Sequence, residues 1–560
     1  MDAVTAQISI RGGTVIDGTG NPGRRADIGI TNGRITETDE TVKAPTEIDA
    51  TGRLVCPGFI DCHTHYDPQV LWDPWLSSSC WHGVTSVVAG SCGYSIAPTK
   101  AADRASLIRT LDKVEDMRVA TLEAGVNWDF ETYGEYLDVI QQRGLAVNFG
   151  GYVGHTAVRL YVMGQDAYER EATPEEINQM KAAVAEAIQG GALGFSTDRA
   201  GFHLGDGGRP VPSIAASQEE TEALIGVTAE IGRGVVHVAP GENYRWVYDI
   251  QPKLGRRLNW SSILTYPAAA SSRADYRTKL ADHLAGRASG ADVWVQVTCR
   301  PITQHVTMIE PTSFYTMGSF KELVALAHED RPTLYADPDW RARVQADLDA
   351  NGLLASRWDT LAIVESPNQP ELVGNTVGGV AAERGCSPWD AMCDIALADG
   401  LLTRFEITFA NDEVDGVTSL MQTEGAVMGL SDAGAHVGQI CDAVMPTDFL
   451  SRWVRDRQVM SPEAGIHKLT GELAEMLGLA PDRGYLRPGA VADITVVDWD
   501  GLDVGPIRRV HDMPANGERL IADAPSGVDH ILVAGTPTRL HGKSLLDQLE
   551  TLPATTLRSA

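Results

Sequence analysis

The chain has 560 residues, 43% of them hydrophobic, enough for one large domain and a smaller one. Acidic residues outnumber basic ones 75 to 46, and the formal charge of −29 opposes contact with phosphate backbones or anionic membranes, so nucleic acid is excluded as an expected partner. Met1-Asp2-Ala3-Val4-Thr5 lacks the basic and apolar stretches of a signal peptide, no apolar run approaches the ~20 residues that span a bilayer, and the eight cysteines do not look like a disulfide framework; a cytoplasmic protein with reduced thiols is expected.

In chain order, the first 57 residues alternate short β runs with turn signals, notably Asn32-Gly33, which favours a tight hairpin. From there the pattern changes to short β runs alternating with helical segments. Strands are predicted at 58–65, 84–92, 145–153, 191–197, 234–239, 258–265, 293–298 and 426–431. Between them, 174–189 opens with Pro-Glu-Glu and 217–231 with Ser-Gln-Glu-Glu, both helix-start signals. Eight strands with intervening helices predict an α/β fold, a (β/α)8 TIM-like barrel over 58–479, whose chemistry sits at the C-terminal strand ends. The stretch 314–424 is too long for a simple crossover and is expected to form an inserted helical subdomain beside the barrel mouth. The β texture returns at 492–497 and 528–533, so that 1–57 and 480–545 are expected to build one small β-sandwich domain from both termini.

The strongest chemical signal is Asp61-Cys62-His63-Thr64-His65 at the end of the first barrel strand. Side chains two apart on a strand share a face, so His63 and His65 can grip one cation, and Asp61 shares that face. Cys92 ends the second predicted strand and reads either as a thiolate ligand for zinc, with a bond of ~2.3 Å, or as a buried free thiol. Asp432 ends the eighth, which closes the barrel beside the first; a carboxylate there can bind the metal, take a proton from its water, or simply cap a turn. His155, Arg199, Tyr266 and Arg300 each follow a strand end and are candidates for holding substrate, against structural roles for all four. His436 lies four residues beyond Asp432, too far along the leaving loop for ligation. Gly18 to Gly23 satisfies G-x-G-x-x-G but precedes a strand-like run rather than a helix, and reads as a turn.

The segments PGFIDCHTHYD, VTSVVAGSCG, YVGHTAVR, GALGFSTD, GLSDAGAHV and RPGAVADITVVD together resemble the amidohydrolase superfamily, and within it the N-acyl-D-amino-acid deacylase (D-aminoacylase) group, over nearly the whole chain. The resemblance implies a barrel with an appended β-sandwich and zinc at its mouth, with His63, His65, Cys92 and Asp432 at metal positions. His237 matches the fifth-strand histidine of the family, and reads equally as a satisfied core histidine. The sixth-strand position fails to match: 258–266 reads LNWSSILTY, with neither the histidine nor the lysine that commonly accompanies it. One Zn2+ ion is therefore expected, with a second as the alternative. The expected activity is hydrolysis of a C–N amide bond in a small molecule by metal-bound hydroxide, with Asp432 as the base. The alternatives are a cyclic amide, imide or C–C bond opened at the same site, and a non-catalytic binding protein on the same scaffold.

Overall fold

The computed structural model describes residues 6–39, 41–267, 275–311, 314, 317–351 and 357–559. Its centre is an eight-stranded parallel sheet: β1 Phe59–Asp61, β2 Val84–Ala89, β3 Asn148–Gly154, β4 Gly194–Asp198, β5 Val235–Ala239, β6 Leu258–Ser261, β7 Val293–Val297 and β8 Ala426–Met428. Each strand pairs with the next in chain order. Closure comes past the strand ends, where Thr64 bridges Ala433 in parallel and the His65 amide donates to the Ala433 carbonyl at 2.8 Å. All eight predicted strands are thus the staves of one barrel. β2 and β3 are buried along their whole length, as strands covered on both faces must be.

The helices form where local chemistry starts them. Pro174–Gln189 carries Pro at its first turn and a reciprocal capping box between Thr173 and Glu176. Gln218–Ile231 is capped by Ser217, whose side chain accepts from the Glu220 amide at 3.1 Å.

Two further sheets lie at the barrel's foot. One has the order Arg34–Asp39, Asp27–Thr31, Ile8–Arg11, Thr46–Asp49; its hairpin turns at Asn32 and Gly33, with φ of 49° and 74°, as a tight type I′ turn demands. The other joins both ends of the chain, because Ile494–Val497 pairs antiparallel with Leu54–Pro57 and with Val528–Val533. Ile10, Ile28, Ile35, Val55, Ile494, Val496 and Leu532 share one apolar core between these sheets.

The segment between β7 and β8 is not purely helical, as the sequence suggested. It opens with the strand Ile302–Thr307, which pairs with Arg404–Ala410, and Ala362–Glu365 completes a three-stranded antiparallel sheet. The alternation in Arg404–Ala410 is short and sits among helical runs, which hid it. Helices Pro338–Asn351 and Pro388–Ala398 pack here, around a separate core that includes Phe320, Trp340 and Trp389. A C-terminal hairpin, Arg508–Met513 and Gly517–Ile521, fastens this insertion to the barrel: Arg404 meets Glu518 at 2.9 Å, Arg509 meets Glu365 at 2.8 Å, and the Leu520 amide donates to Val437 O at 2.6 Å.

Candidate metal centre

Local backbone chemistry aims the donors at the barrel mouth. Beyond β1 the Asp61 carboxylate accepts from the His63 amide at 3.2 Å and from Ser431 Oγ at 2.6 Å, pinning the first strand to the loop after β8. Asp61 is therefore used up in holding that loop and joins no candidate metal group. Beyond β2, Gly90 (φ 73°) and Cys92 (φ 54°) turn the chain sharply inward. A Cβ on Gly90 would lie 2.2 Å from Tyr152 O, so only glycine fits. Asp67 Oδ2 accepts the Gly90 amide at 2.9 Å and fixes that turn from the β1 side.

The donors form two overlapping groups, His63/His65/Asp432 and His63/Cys92/His237, with ligand atoms of each group within 4.8 Å of one another. His63 Nε2 lies 3.0 Å from Asp432 Oδ1, His65 Nε2 lies 3.5 Å from the same oxygen, and Cys92 Sγ is 3.5 Å from His63 Nε2. Tetrahedral zinc ligands at ~2.0–2.3 Å from a common centre stand about 3.3–3.8 Å apart; the two 3.5 Å separations fall in that range, and the 3.0 Å His63–Asp432 contact is a little shorter. His237, open to either reading from sequence, is brought into the site. Its Nδ1 is 2.7 Å from Asn259 Oδ1, while its Nε2 is buried with no hydrogen-bond partner. A buried orphan of this kind costs ~1–3 kcal/mol unless something fills it, and an imidazole lone pair is what zinc takes. The residues present fit the metal.

The charges are balanced by contact. Burial would raise the Asp432 carboxyl, but His63 and His65 beside it more than offset that and hold it well below the usual carboxylate range. His63 is the converse, with burial opposed and overcome by Cys92 and Asp432, so its pKa is raised. Burial pushes His65 down to about 4 and His237 to about 3. Glu115, buried 3.3 Å from His65 Nδ1, is pushed well above its ordinary value by burial and by Asp432.

Three contributors escaped the sequence reading: Glu115, Asn259 and Gln296. Gln296 Oε1 stands 2.5 Å from His63 Nδ1. The signal for the last two was a polar residue inside apolar strand runs, LNWS and VWVQV. At the end of β4, Asp198 takes hydrogen bonds from Tyr94 at 2.7 Å and His203 Nδ1 at 2.6 Å, close behind Cys92.

Four expected substrate contacts find other employment or stand apart. His155 opens the helix His155–Met163, which carries it to the barrel's flank; its Nδ1 meets Thr197 Oγ1 at 2.8 Å and its Nε2 meets Glu220 Oε1 at 2.9 Å, leaving nothing for substrate. The Arg300 guanidinium is held by Asp442 at 3.0 Å and Asp448 at 3.5 Å, so it cannot serve as a free carboxylate clamp. Arg199 Nη1 donates to Ser213 O at 2.6 Å and Ala216 O at 2.8 Å. Tyr266 is half-buried after β6 and belongs to neither metal group; the loop that follows, 268–274, lies outside the described residues. His436 also stays out of both groups, its Nε2 3.7 Å from Glu115.

Beside Asp432 opens a cleft of about 230 Å³. Ile302, Thr303, Gln304 and Phe409 of the insertion's sheet form one wall; Leu430, His436 and Gln439 of the loop after β8 form the other.

Residues 46–538 match the amidohydrolase family. The chain is 30% identical over 533 residues to an uncharacterised protein of Mycobacterium tuberculosis, covering 90% of this chain and 86% of that one. It is 29% identical over 545 residues to the N-acyl-D-glutamate deacylase of Alcaligenes xylosoxydans xylosoxydans, covering 94% and 92%. Among solved structures, the N-acyl-D-glutamate deacylase of Bordetella bronchiseptica, complexed with zinc and a phosphonate inhibitor that mimics the tetrahedral intermediate, superposes with a TM-score of 0.65 at 26% identity over 99% of both chains. With a family match over most of its length, this chain belongs to the amidohydrolase family.

Proposed function

We propose that this protein is a zinc-dependent hydrolase of C–N amide bonds whose substrates are N-acyl-D-amino acids or close analogues. The observation that carries the reading is the meeting of His63, His65, Cys92, His237 and Asp432 in two donor groups that overlap at His63. The deacylase relatives supply the substrate class. One ion is the expected load: each donor group needs His63, and a single imidazole Nε2 has one lone pair to give. His65 and Asp432 then complete one triad, Cys92 and His237 the other.

Zinc in such a site lowers the pKa of a bound water to ~7 and polarises the scissile carbonyl. The protein's own residues do the rest. Asp432 turns Oδ1 toward His63 and His65, and its carboxylate, held in the charged form, accepts the proton from water and returns it to the leaving nitrogen. Ile302 and Phe409 on one wall of the cleft and Leu430 on the other give it apolar surface for an acyl chain. Eight free cysteines are compatible with a reducing compartment such as the cytoplasm, and no helix among the described residues is long and apolar enough to cross a membrane.

Metal analysis of the purified protein should return one zinc per chain, and N-acyl-D-amino acids should be hydrolysed faster than their L-counterparts. Loss of no activity on complete metal removal contradicts the mechanism. A second reading, a cyclic amide or imide as substrate, is favoured by the engagement of Arg300 with Asp442 and Asp448, which leaves no guanidinium or ammonium among the described residues lining the cleft. Hydantoins turned over with higher kcat/KM than any N-acyl-D-amino acid would select it.

A further inference from the structure

The interior faces of β6 and β7 carry two carboxamides with no exposed surface, Asn259 and Gln296. Asn259 stands directly across from His237 in the strand register. Four contacts link these groups: Asn259 Nδ2 to Val236 O at 3.2 Å, His237 Nδ1 to Asn259 Oδ1 at 2.7 Å, Gln296 Nε2 to Asn259 Oδ1 at 2.9 Å, and His63 Nδ1 to Gln296 Oε1 at 2.5 Å.

The direction of every bond in this chain follows from its first link. A backbone carbonyl can only accept, so Asn259 must turn its NH2 to Val236 and its Oδ1 to the interior. Oδ1 has two lone pairs, and two neighbours compete for nothing: His237 Nδ1 and Gln296 Nε2, 3.5 Å apart, both donate to it. His237 therefore carries its proton on Nδ1. Gln296, having given its NH2 to Asn259, presents Oε1 to His63, which must carry its proton on Nδ1 as well. In the neutral form that binds a metal, both imidazoles keep the lone pair on Nε2, the atom that faces Asp432 and Cys92 in His63 and that has no partner in His237.

We infer that Asn259 and Gln296 are positioning residues that lock His63 and His237 together in the metal-binding tautomer, with the Val236 carbonyl as the fixed end of the chain. The inference rests on the proposed metal reading for its purpose. His63 belongs to both donor groups and His237 to one, so the two amides tie the groups to a common orientation. Asn259 stands on the strand where the family resemblance expects a histidine ligand. This chain uses that strand to orient ligands from outside the coordination sphere, an arrangement whose loss typically weakens metal affinity ~10–100-fold.

The first test needs no substitution. In the metal-free full-length protein with 15N-labelled histidine, the ring signals of His237, assigned by their loss in His237→Gln, should show a proton on Nδ1 and none on Nε2, and those of His63, assigned in His63→Gln, should keep a proton on Nδ1 beside Gln296; a neutral His237 with its proton on Nε2, or a His63 ring with no proton on Nδ1, overturns the inference. The second compares variants by chelator competition for zinc, with circular dichroism to confirm folding. Gln296→Met, which keeps the shape and loses the acceptor, should weaken zinc binding ~10–100-fold, and Gln296→Glu, which keeps an acceptor for His63, should recover most of it. Wild-type affinity in a folded Gln296→Met protein overturns the inference. A wild-type protein that takes up no zinc would instead overturn the metal reading, while the tautomers in the metal-free protein would still decide the role of the two amides.

Discussion

His155 and His237 are both histidines without exposed surface, one just past the end of β3 and one within β5, and the structure puts them to opposite uses. His155 has both ring nitrogens filled, by Thr197 and by Glu220, which also takes Arg159. His237 has one nitrogen filled and one left empty toward Cys92 and His63. Burial alone does not separate a structural histidine from a ligand. Satisfaction of the second nitrogen together with its neighbours does: His237 Nε2 lacks a partner and lies beside other metal-ligating atoms, whereas both His155 nitrogens are filled.

The largest effect belongs to the ligand side: Asp432→Asn should lower kcat by ~10²–10⁴-fold with an unchanged denaturation midpoint, and an unchanged kcat would remove Asp432 from the proton transfer. On the flank, His155→Ala strips one partner from a buried ionic cluster and should cost about 3 kcal/mol of stability, read by urea denaturation, while zinc content stays the same; lost zinc with intact stability would reverse the two assignments. His237→Ala should show the mirror result, at least the ~10–100-fold loss of zinc affinity that removing an outer partner causes, with little change in midpoint.

The smallest effect is a pH dependence shared by the satisfied histidines. His82 resembles His155: Thr447 Oγ1 and Ala522 O each lie 2.8 Å from a ring nitrogen, and burial lowers its pKa from 6.5 to about 4. As pH falls the unfolded chain binds the proton first, so this contribution is complete above 6.5 and is lost progressively toward about 4. The urea midpoint of the metal-free protein should decline through that window, less steeply in His82→Gln. Identical slopes would deny His82 the role.

These contrasts also show what could be read before folding. His63 and His65 were legible because a strand's period alone puts them on one side, and Cys92 and Asp432 because the ends of neighbouring strands meet in a closed barrel. Glu115, Asn259 and Gln296 were not, since each acts on a histidine far away in the chain and the contact exists only after closure. For His155 and Arg300 the strand-end position was visible, but their occupation by Glu220, and by Asp442 and Asp448, depends on helices packing from outside the motif. The insertion's length pointed to a separate body, whereas its sheet depends on pairing Ile302–Thr307 with a strand about a hundred residues later.

The hairpin at Arg508–Ile521 gives the cleft a place in the order of synthesis. The insertion wall is held to the barrel through Glu518 and Arg509, and the loop after β8 through Leu520, so a chain emerging from the ribosome has the residues of the proposed metal site before its cleft is braced. Bracing of the cleft is thereby deferred until the hairpin Arg508–Ile521, well after Asp432, has been made. A nascent or C-terminally clipped chain would keep His63, His65, Cys92, His237 and Asp432 and lack the clasp that holds the two walls in register.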